Sequence, residues 1–220
     1  MAFFASGRDA AKTERAGVPS LDLMHRLECK ICPLDKIRTN RHPHMEPTGT
    51  DKPYVYILGE APGETEDAEG EQFIGKSGQF LRSQIPGSWK RDLRWNNVVR
   101  TRPRNNDTPQ YVEIECCRPS LIRDIEDTKP VAIFGFGAVA LEWALGQTKI
   151  NNWRGRRAPV RIGDHECWFY SFHHPSYIER LRGEVEKKRR RTLRYSDIDG
   201  EDDRAFRLDL RHAFEELEAG

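Results

Sequence analysis

The chain has 220 residues, enough for one domain that buries roughly 70% of its unfolded surface. Hydrophobic residues make up 37% of it and charged residues 32%, so we expect a compact core under a strongly ionic surface. A formal net charge of +1 neither requires nor excludes a polyanionic partner. Because there is no apolar run of about 18 residues and no secretory leader pattern, we expect a cytoplasmic protein with no membrane partner.

The N-terminal segment, residues 1–18, is mostly small, polar or charged, and we expect it to be poorly ordered. Residues 19–220 are predicted to form a single domain. A short helix comes first and leads into Cys29-Lys-Ile-Cys32, a spacing typical of a metal site or redox pair in a chain without a secretion signal. Cys116 and Cys117 follow on a later helix, and four thiolates can hold zinc or an iron–sulfur cluster. The alternative is that Cys116 is an ordinary core residue.

The first predicted strand, residues 54–58, ends at a turn that carries many carboxylates. The glycines of Gly59-Glu-Ala-Pro-Gly63 allow a tight turn and a close approach of the backbone to a ligand. Within eight residues the turn presents four acids, Glu60, Glu64, Glu66 and Asp67. Crowded acids raise the electrostatic energy unless they are solvated or used, for instance to orient a water. The alternative is an ordinary turn between a strand and a loop.

Strands and helices alternate through the rest of the chain. The apolar pattern predicts strands over residues 95–100 and 131–134 and a hairpin over 158–162 and 166–172 about Gly163-Asp164. Helices are predicted up to Pro86, from an N-cap at Thr108 to Ile125, over 138–145, and over the final amphipathic segment around 206–217. This alternation predicts an α/β sandwich around a parallel sheet.

Two further motifs end strands. His173-His-Pro-Ser176 places an imidazole where a substrate carbonyl can lie, although a lone histidine is more often structural. Gly135-Phe-Gly-Ala-Val-Ala140 imitates a dinucleotide-binding fingerprint but lacks a suitable downstream acid, so we interpret it as strand-to-helix packing. The carboxyl ends of parallel strands meet at one edge of a sheet, where such folds bind ligands. We therefore expect the acidic turn and the histidine loop to meet there.

Taken together, these stretches resemble family 4 of the uracil-DNA glycosylase superfamily, the iron–sulfur uracil-DNA glycosylases. The matching stretches span residues 29–176 in the family's order: Cys29-Lys-Ile-Cys-Pro-Leu34, Leu58-Gly-Glu-Ala-Pro-Gly63 through Asp67, Phe73-Ile-Gly-Lys-Ser-Gly78, Asn97-Val-Val-Arg100 with Arg102-Pro103, Thr108-Pro109, Cys117-Arg-Pro119 and His174-Pro-Ser176. The resemblance implies a three-layer α/β/α sandwich with a four-stranded, mainly parallel sheet. It also implies a monofunctional enzyme that flips a base out of DNA and hydrolyses its glycosidic bond.

The resemblance also implies roles for individual residues. His174 matches the histidine that hydrogen-bonds O2 of the departing base, Phe73 the stacking aromatic, and Asn97 the amide that pairs with the pyrimidine edge. Glu60 and Glu66 match positions in the first loop that can hold a water, and contact with the C5 side of the pyrimidine is the alternative for Glu66. Ala61 stands where other branches carry a water-activating Asp. Residues suited to DNA contact are Lys76, Ser77, Ser176, Tyr177, Arg180 and Arg182, and Ile178 and Leu181 are suggested, with Tyr177, as a wedge in the stack.

Two departures from the family pattern stand out. The family's third cysteine ligand lies sixteen residues before the position of Cys117, and here that position is Thr101. We expect a 4Fe–4S cluster held by Cys29, Cys32 and Cys117, with Cys116 as the fourth thiolate; a three-liganded or lost cluster is the alternative. The second departure is a charged insertion at about 182–203, which is either a solvated face or a contact to the DNA backbone.

The sequence leaves the target base and the biological setting open. We expect excision of uracil or a related modified pyrimidine from DNA by a monomer. One alternative is a glycosylase for a bulky base, such as modified cytosine in phage DNA, which implies a defence role. Another is a DNA-binding protein that recognises a lesion without catalysis. A nucleotide-binding oxidoreductase is disfavoured by the poor glycine fingerprint.

Overall fold

The computed structural model describes residues 18–191 and 201–219. The predicted disorder of residues 1–18 falls almost entirely outside these ranges, as does part of the charged insertion. None of the helices within the described ranges is both long and apolar enough to cross a bilayer.

Within the described residues, a six-stranded mixed sheet forms the middle layer, in the order β1-β3-β2-β4-β6-β5. The strands are β1 Thr48–Gly49, β2 Val55–Gly59, β3 Leu93–Asn97, β4 Ala132–Phe136, β5 Arg156–Ile162 and β6 His165–Phe172. The central strands β3, β2, β4 and β6 pair in parallel, and β1 and β5 add antiparallel edges. The α/β sandwich is thus confirmed, but the four strands implied by the resemblance were too few. The pattern-based hairpin over 158–162 and 166–172 had located the β5 edge, and only the β1 edge was left unpredicted.

Eight α-helices cover the described part of the sheet. They are α1 Leu21–Leu27, α2 Glu64–Glu69, α3 Lys76–Gln84, α4 Tyr111–Thr128, α5 Ala138–Leu145, α6 Ile150–Trp153, α7 Pro175–Arg191 and α8 Glu201–Ala219. Short 3₁₀ turns cover Glu28–Lys30, Pro33–Lys36, Gly87–Trp89 and Arg104–Asn106.

Alternation along the buried strands divides the core into two layers. Val55 and Ile57 of β2 point into a cluster with α3, α7 and α8, whereas Tyr56 and Leu58 point into a cluster with α4 and α5. A third cluster joins α1 and α4 around Cys32, Cys116 and Cys117. Each face of the sheet is therefore covered, as a mostly parallel sheet requires.

Local boundaries differ from the predictions in physically instructive ways. The second strand ends at Asn97 rather than at residue 100. Helix α4 starts two residues later than predicted, because Gln110 caps it in a reciprocal pair with Glu113 and Thr108 stays outside. The predicted charged insertion is largely helical in its described part, since α7 continues to Arg191 and α8 begins at Glu201.

The topology brings four strand ends to one edge. Glu60 follows β2, Asn97 ends β3, Gly137 follows β4, and His174 lies two residues beyond β6. Backbone hydrogen bonds from Val98 and Val99 to residues 59 and 60 extend the β2–β3 pairing past the strands. The predicted meeting of the acidic turn with the histidine loop is therefore confirmed.

Candidate active site

A cavity of about 500 Å3 opens at this edge of the sheet. Nine of the residues predicted to act on base or DNA line it: Glu60, Ala61, Glu66, Phe73, Ser77, Asn97, His174, Ser176 and Arg180. The other lining residues are Pro62, Gly63, Gly78, Pro103, Asn106, Asp107, Thr108 and Pro175. The cavity is thus built from the loops after β2, β3 and β6 and from the start of α3.

His174 is held in one tautomer by the start of α7. The backbone N–H of Ser176 donates to Nδ1 of His174 at 3.2 Å, and the Ser176 hydroxyl lies 2.6 Å from the same nitrogen. A backbone N–H can only donate, so Nδ1 is the acceptor and the proton of a neutral ring lies on Nε2. Burial lowers the pKa of His174 to about 4, so the ring is neutral at pH 7. His174 therefore offers an uncharged N–H donor.

Glu60 is the acid of the turn whose carboxyl group is available to the cavity. Burial raises its pKa, and a hydrogen bond with the Thr108 side chain offsets part of that rise. A partly buried carboxylate with a raised pKa is a better proton acceptor than a solvated one. Thr108, predicted to cap a helix, thus belongs to the site.

The other acids of the turn have structural partners. Glu66 accepts a hydrogen bond from the Gly75 backbone N–H at 2.7 Å, and a Cβ on Gly63 or Gly75 would stand within 3.0 Å of its carboxylate. Asp67 accepts from the backbone N–H groups of residues 41 and 42. Glu64 is exposed and lies 3.7 Å from Arg102. Three of the four acids of this turn thus stabilise the loops around the cavity through their partners.

Phe73 and Asn97 meet over Gly59. A Cβ on Gly59 would lie 2.3 Å from Oδ1 of Asn97 and 2.6 Å from the Phe73 ring, so only glycine leaves both side chains in place. The Phe73 ring packs against Trp95 with centroids 5.2 Å apart. The backbone of Phe73 is left-handed (φ 57°). It packs closely against Gly78 of α3, where a Cβ atom would stand 2.1 Å from the Phe73 carbonyl oxygen, so only glycine allows this approach. The aromatic face and the amide edge are therefore fixed together.

The predicted DNA contacts divide into two groups. Ser77, Ser176 and Arg180 line the cavity, whereas Lys76 and Arg182 lie outside it and flank Glu179 at 3.6 and 2.9 Å. Tyr177 packs between the His173 ring at 5.0 Å and the Arg180 guanidinium at 5.5 Å.

The suggested wedge is wrong in one of its members. Ile178 lies on the core-facing side of α7 and is fully buried, so it cannot enter a base stack unless the helix detaches from the sheet.

A second, smaller cavity of about 90 Å3 lies at the cysteines. Cys29, Cys32 and Cys117 line it together with Thr101 and His44. The backbone N–H of His44 donates to the Thr101 hydroxyl at 2.9 Å. Burial raises the pKa of all three thiols, that of Cys117 to about 12, so the thiols are protonated until a metal displaces the protons.

This donor set fits an iron–sulfur cluster in part. In the described ranges, no three His, Cys, Asp or Glu side chains come close enough to hold a single metal ion. A cluster of several irons is larger than one ion, and three thiols around one cavity are the donors it uses. Cys116 is buried beside Cys32, with which its thiol hydrogen-bonds, but it is not among the residues that line the cavity, whereas Thr101 is.

The glycine motif that begins in β4 and leads into α5 serves packing, as predicted. A Cβ on Gly135 would collide with the Phe169 ring at 2.1 Å, and Gly137 has a left-handed backbone (φ 94°) against His174. Gly137 thereby lets β4 end directly beneath the imidazole.

Two cavity neighbours were missed by sequence reasoning. Thr108 was noted as a helix cap and within a family-matching stretch but was given no role in the site, and Gln72, which donates and accepts hydrogen bonds beneath Asn97, gave no signal at all. Side chains such as these act through tertiary contacts that no local spacing reveals.

Comparisons with known proteins agree with this geometry. The family described as the uracil DNA glycosylase superfamily matches residues 46–197. The chain is 36% identical over 179 residues to a type-4 uracil-DNA glycosylase of Pyrobaculum aerophilum, covering 76% of this chain and 90% of the relative. It is 31% identical over 170 residues to that of Archaeoglobus fulgidus (73% and 84%) and 33% over 157 residues to that of Thermotoga maritima (70% and 80%).

Proposed function

Because the chain belongs to the uracil DNA glycosylase superfamily, we propose that it is a monofunctional DNA glycosylase. It flips uracil out of DNA into the 500 Å3 cavity and hydrolyses the N-glycosidic bond, leaving an abasic site. The observation that carries this proposal is a neutral imidazole N–H donor in one cavity with Glu60, Phe73 and Asn97.

His174 stabilises the departing base. As the bond between C1′ and N1 breaks, its electron pair moves onto the base and negative charge develops at O2. The Nε2–H of His174 donates to that oxygen, and a fixed donor aimed at developing charge is worth about 100- to 1000-fold in rate. A neutral donor with Nδ1 held by Ser176 needs no reorganisation during the reaction.

Glu60 positions the attacking water. The water oxygen forms a bond to C1′ as the sugar becomes cation-like, and the Glu60 carboxylate takes up its proton. The raised pKa of Glu60 suits that role. Glu66 supports the same loop through its bond to Gly75 and lines the wall at the base.

Phe73 and Asn97 read the flipped base. The Phe73 ring offers a stacking face, and the Asn97 amide offers hydrogen-bonding groups to the pyrimidine edge. Ser77, Ser176 and Arg180 at the cavity mouth would contact the neighbouring phosphates, with Lys76, Tyr177 and Arg182 farther along the same surface. The names of the relatives favour uracil over the bulky modified base and the non-catalytic alternatives.

Cys29, Cys32 and Cys117 would hold a 4Fe–4S cluster. When bound, the cluster supplies cross-links between the turns at 28–36 and α4, next to Arg100 and the segment that follows Asn97. Cys116 beside Cys32 and His44 on the cavity wall are the candidates for the fourth ligand. Iron analysis of Cys116→Ser and His44→Ala, each against the wild-type protein, distinguishes the two.

The experiment for the proposed activity is a glycosylase assay. Duplex and single-stranded oligonucleotides containing uracil, hydroxymethylcytosine or glucosylated hydroxymethylcytosine are incubated with the protein and then treated with hot alkali. We expect strand scission at uracil. Scission only at the modified cytosines would show that they, and not uracil, are the substrate. Tight binding without scission at any base would indicate the non-catalytic alternative.

A further inference from the structure

Gln72 is a buried amide that touches the base-reading residue. Its side chain is fully buried, although Gln72 lies in an irregular segment between α2 and α3. Its Oε1 accepts a hydrogen bond from Nδ2 of Asn97 at 2.6 Å, and its Nε2 donates to the backbone carbonyl of Glu46 at 3.4 Å. Burying an amide is unfavourable unless it is hydrogen-bonded, and both groups of the Gln72 amide have a partner.

The backbone carbonyl of Glu46 determines which way round the side-chain amides of Gln72 and Asn97 lie. The oxygen and nitrogen of an amide are distinguished by their partners rather than by their shape. A backbone carbonyl can only accept, so Glu46 requires the Nε2 side of Gln72, and the Oε1 side must face Asn97. Reversing Asn97 alone would place two oxygens against each other. Oδ1 of Asn97 is therefore directed away from Gln72, to the side where Gly59 leaves room for it.

The peptide that carries Gln72 is itself clamped. Arg82 of α3 donates to the backbone carbonyls of Gln72 and Phe73 at 2.9 and 3.1 Å, and its guanidinium lies 4.1 Å from the centre of the Trp95 ring. Asn97 is held from its own strand by a bond from its backbone N–H to the Asn96 side chain at 2.8 Å. The two amides thus meet with little freedom to turn.

We propose that Gln72 is a positioning residue that fixes the amide of Asn97 with Oδ1 toward the base, and so selects pyrimidines that carry an N–H at position 3. This inference rests on the proposed function. Uracil has a proton on N3 and donates to an acceptor there, whereas cytosine has a lone pair at N3 and would face the Asn97 oxygen unfavourably. A site that must hydrogen-bond a donor discriminates strongly against a ligand lacking it. Without Gln72, the amide of Asn97 can turn over and present its NH2 group to cytosine.

The test compares affinities rather than rates, so that the leaving-group difference between the bases does not enter. Oligonucleotides identical except for one 2′-fluorinated deoxyuridine or deoxycytidine, in which the fluorine slows cleavage, are titrated against wild type, Gln72→Met and Gln72→Glu at pH 8. Gln72→Met keeps the shape of the side chain and removes both hydrogen bonds. Gln72→Glu keeps the acceptor for Asn97. Gln79→Met, on the exposed side of α3, is the matched control.

We expect Gln72→Met to lower the uracil-to-cytosine affinity ratio about 10-fold, the size of one net hydrogen bond. Gln72→Glu and Gln79→Met should keep the wild-type ratio. An unchanged ratio in a folded Gln72→Met protein, or a lost preference in Gln72→Glu, would overturn the inference. If Gln72→Met does not fold, as judged by circular dichroism, Gln72→Ala, which also removes both hydrogen bonds, is measured in its place with the same expected loss, and an unchanged ratio there overturns the inference. Failure of the wild type to excise natural uracil would instead refute the proposed function, which keeps the two failures distinct.

Discussion

His174 gains its chemistry from its neighbours rather than from its residue type. The backbone N–H of Ser176 donates to Nδ1, and Gly137 has no side chain to collide with the ring. Burial lowers the pKa, so the ring is uncharged near neutral pH. An ordinary histidine titrates at about 6.5 and is partly charged near neutrality. The surroundings of His174 therefore convert a common pH-sensitive group into a constant neutral donor.

This environment can be measured directly on the ring. Because the folded pKa of His174 lies below the unfolded value of 6.5, the neutral form is retained as pH falls from 8, and protonation occurs only near pH 4. We expect 15N NMR of the imidazoles to show one Nε2–H tautomer whose signals stay constant from pH 8 to 5. His174→Asn assigns the signal by its absence. A titration midpoint near 6.5 would contradict the assigned environment.

Glu60 should control the acid side of the rate profile. Because its pKa is raised, the Glu60 carboxylate becomes protonated at a higher pH than an ordinary glutamate does. Once protonated, it cannot accept the proton of the water. Glu60→Gln should excise uracil about 100-fold more slowly at pH 7. Its rate should also stay flat over the pH range in which the wild type declines. Single-turnover rates measure both effects, and equal rates for the two proteins would exclude Glu60 as the proton acceptor.

At the residue scale, the sequence predicted which residues line the site better than it predicted the contacts that those residues make. Glu60 and His174 were found in motifs at strand ends, Phe73 and Asn97 were found through the family resemblance, and all four line one cavity. The grouping of Glu66 with Glu60 did not anticipate that Glu66 braces Gly75, because that contact joins residues nine apart through a loop. Gln72 was not found, since its partners lie 25 and 26 residues away.

At the scale of elements, the start of α7 joins catalysis to DNA binding. His174 precedes the helix, Ser176 lies in its first turn, and Arg180 follows one turn later at the cavity mouth. A positive side chain there faces the path expected for a phosphate. The helix thus orients the imidazole and the DNA backbone from one rigid support.

Arg180 should act through charge alone. Arg180→Ala should weaken binding of single-stranded DNA similarly for every sequence, and the slope of log K against log salt should fall by about 1, the loss of one phosphate contact. Arg211→Ala, on the exposed side of α8, is the matched control. Fluorescence anisotropy between low and moderate salt provides the slopes. An unchanged slope for Arg180→Ala would place the DNA backbone elsewhere.

The buried strands and the amphipathic helices were predicted from periodicity because their apolar patterns are long and regular. β1 has two residues in a connection rich in proline and glycine, so it left no pattern. The start of α4 was misplaced because Thr108-Pro109 is a good capping pair by composition, while Gln110 and Glu113 form the actual cap. Short edge strands and helix ends depend on tertiary partners, which local composition does not contain.

At the scale of the whole molecule, the two cavities are connected through the chain. The segment after β3 leads from Asn97 at the active site to Thr101 at the cysteines, and Arg100 hydrogen-bonds to residues 44 and 45 on the way. A well-ordered cysteine region therefore holds in place the segment from residue 98 to 101, which follows Asn97. The expected role of the cluster is structural.

Iron binding can be tested independently of catalysis. Purified wild-type protein should contain iron and show broad visible absorbance, and Cys29→Ser should lose both. It should also have a lower unfolding temperature, because metal binding contributes to folding. Cys167→Ser, on β6 and away from the cavity, should keep the iron. A colourless, iron-free wild type isolated under anaerobic conditions would remove the cluster from the account.

The most direct test of the whole account is single-turnover release of uracil from an oligonucleotide by wild type and by His174→Ala at pH 7. We predict alkali-labile sites with the wild type and a rate about 100- to 1000-fold lower with the variant, whose affinity for the DNA stays close to that of the wild type. Equal rates for the two proteins, or no release of uracil by the wild type, would contradict the claim that the neutral imidazole drives departure of the base.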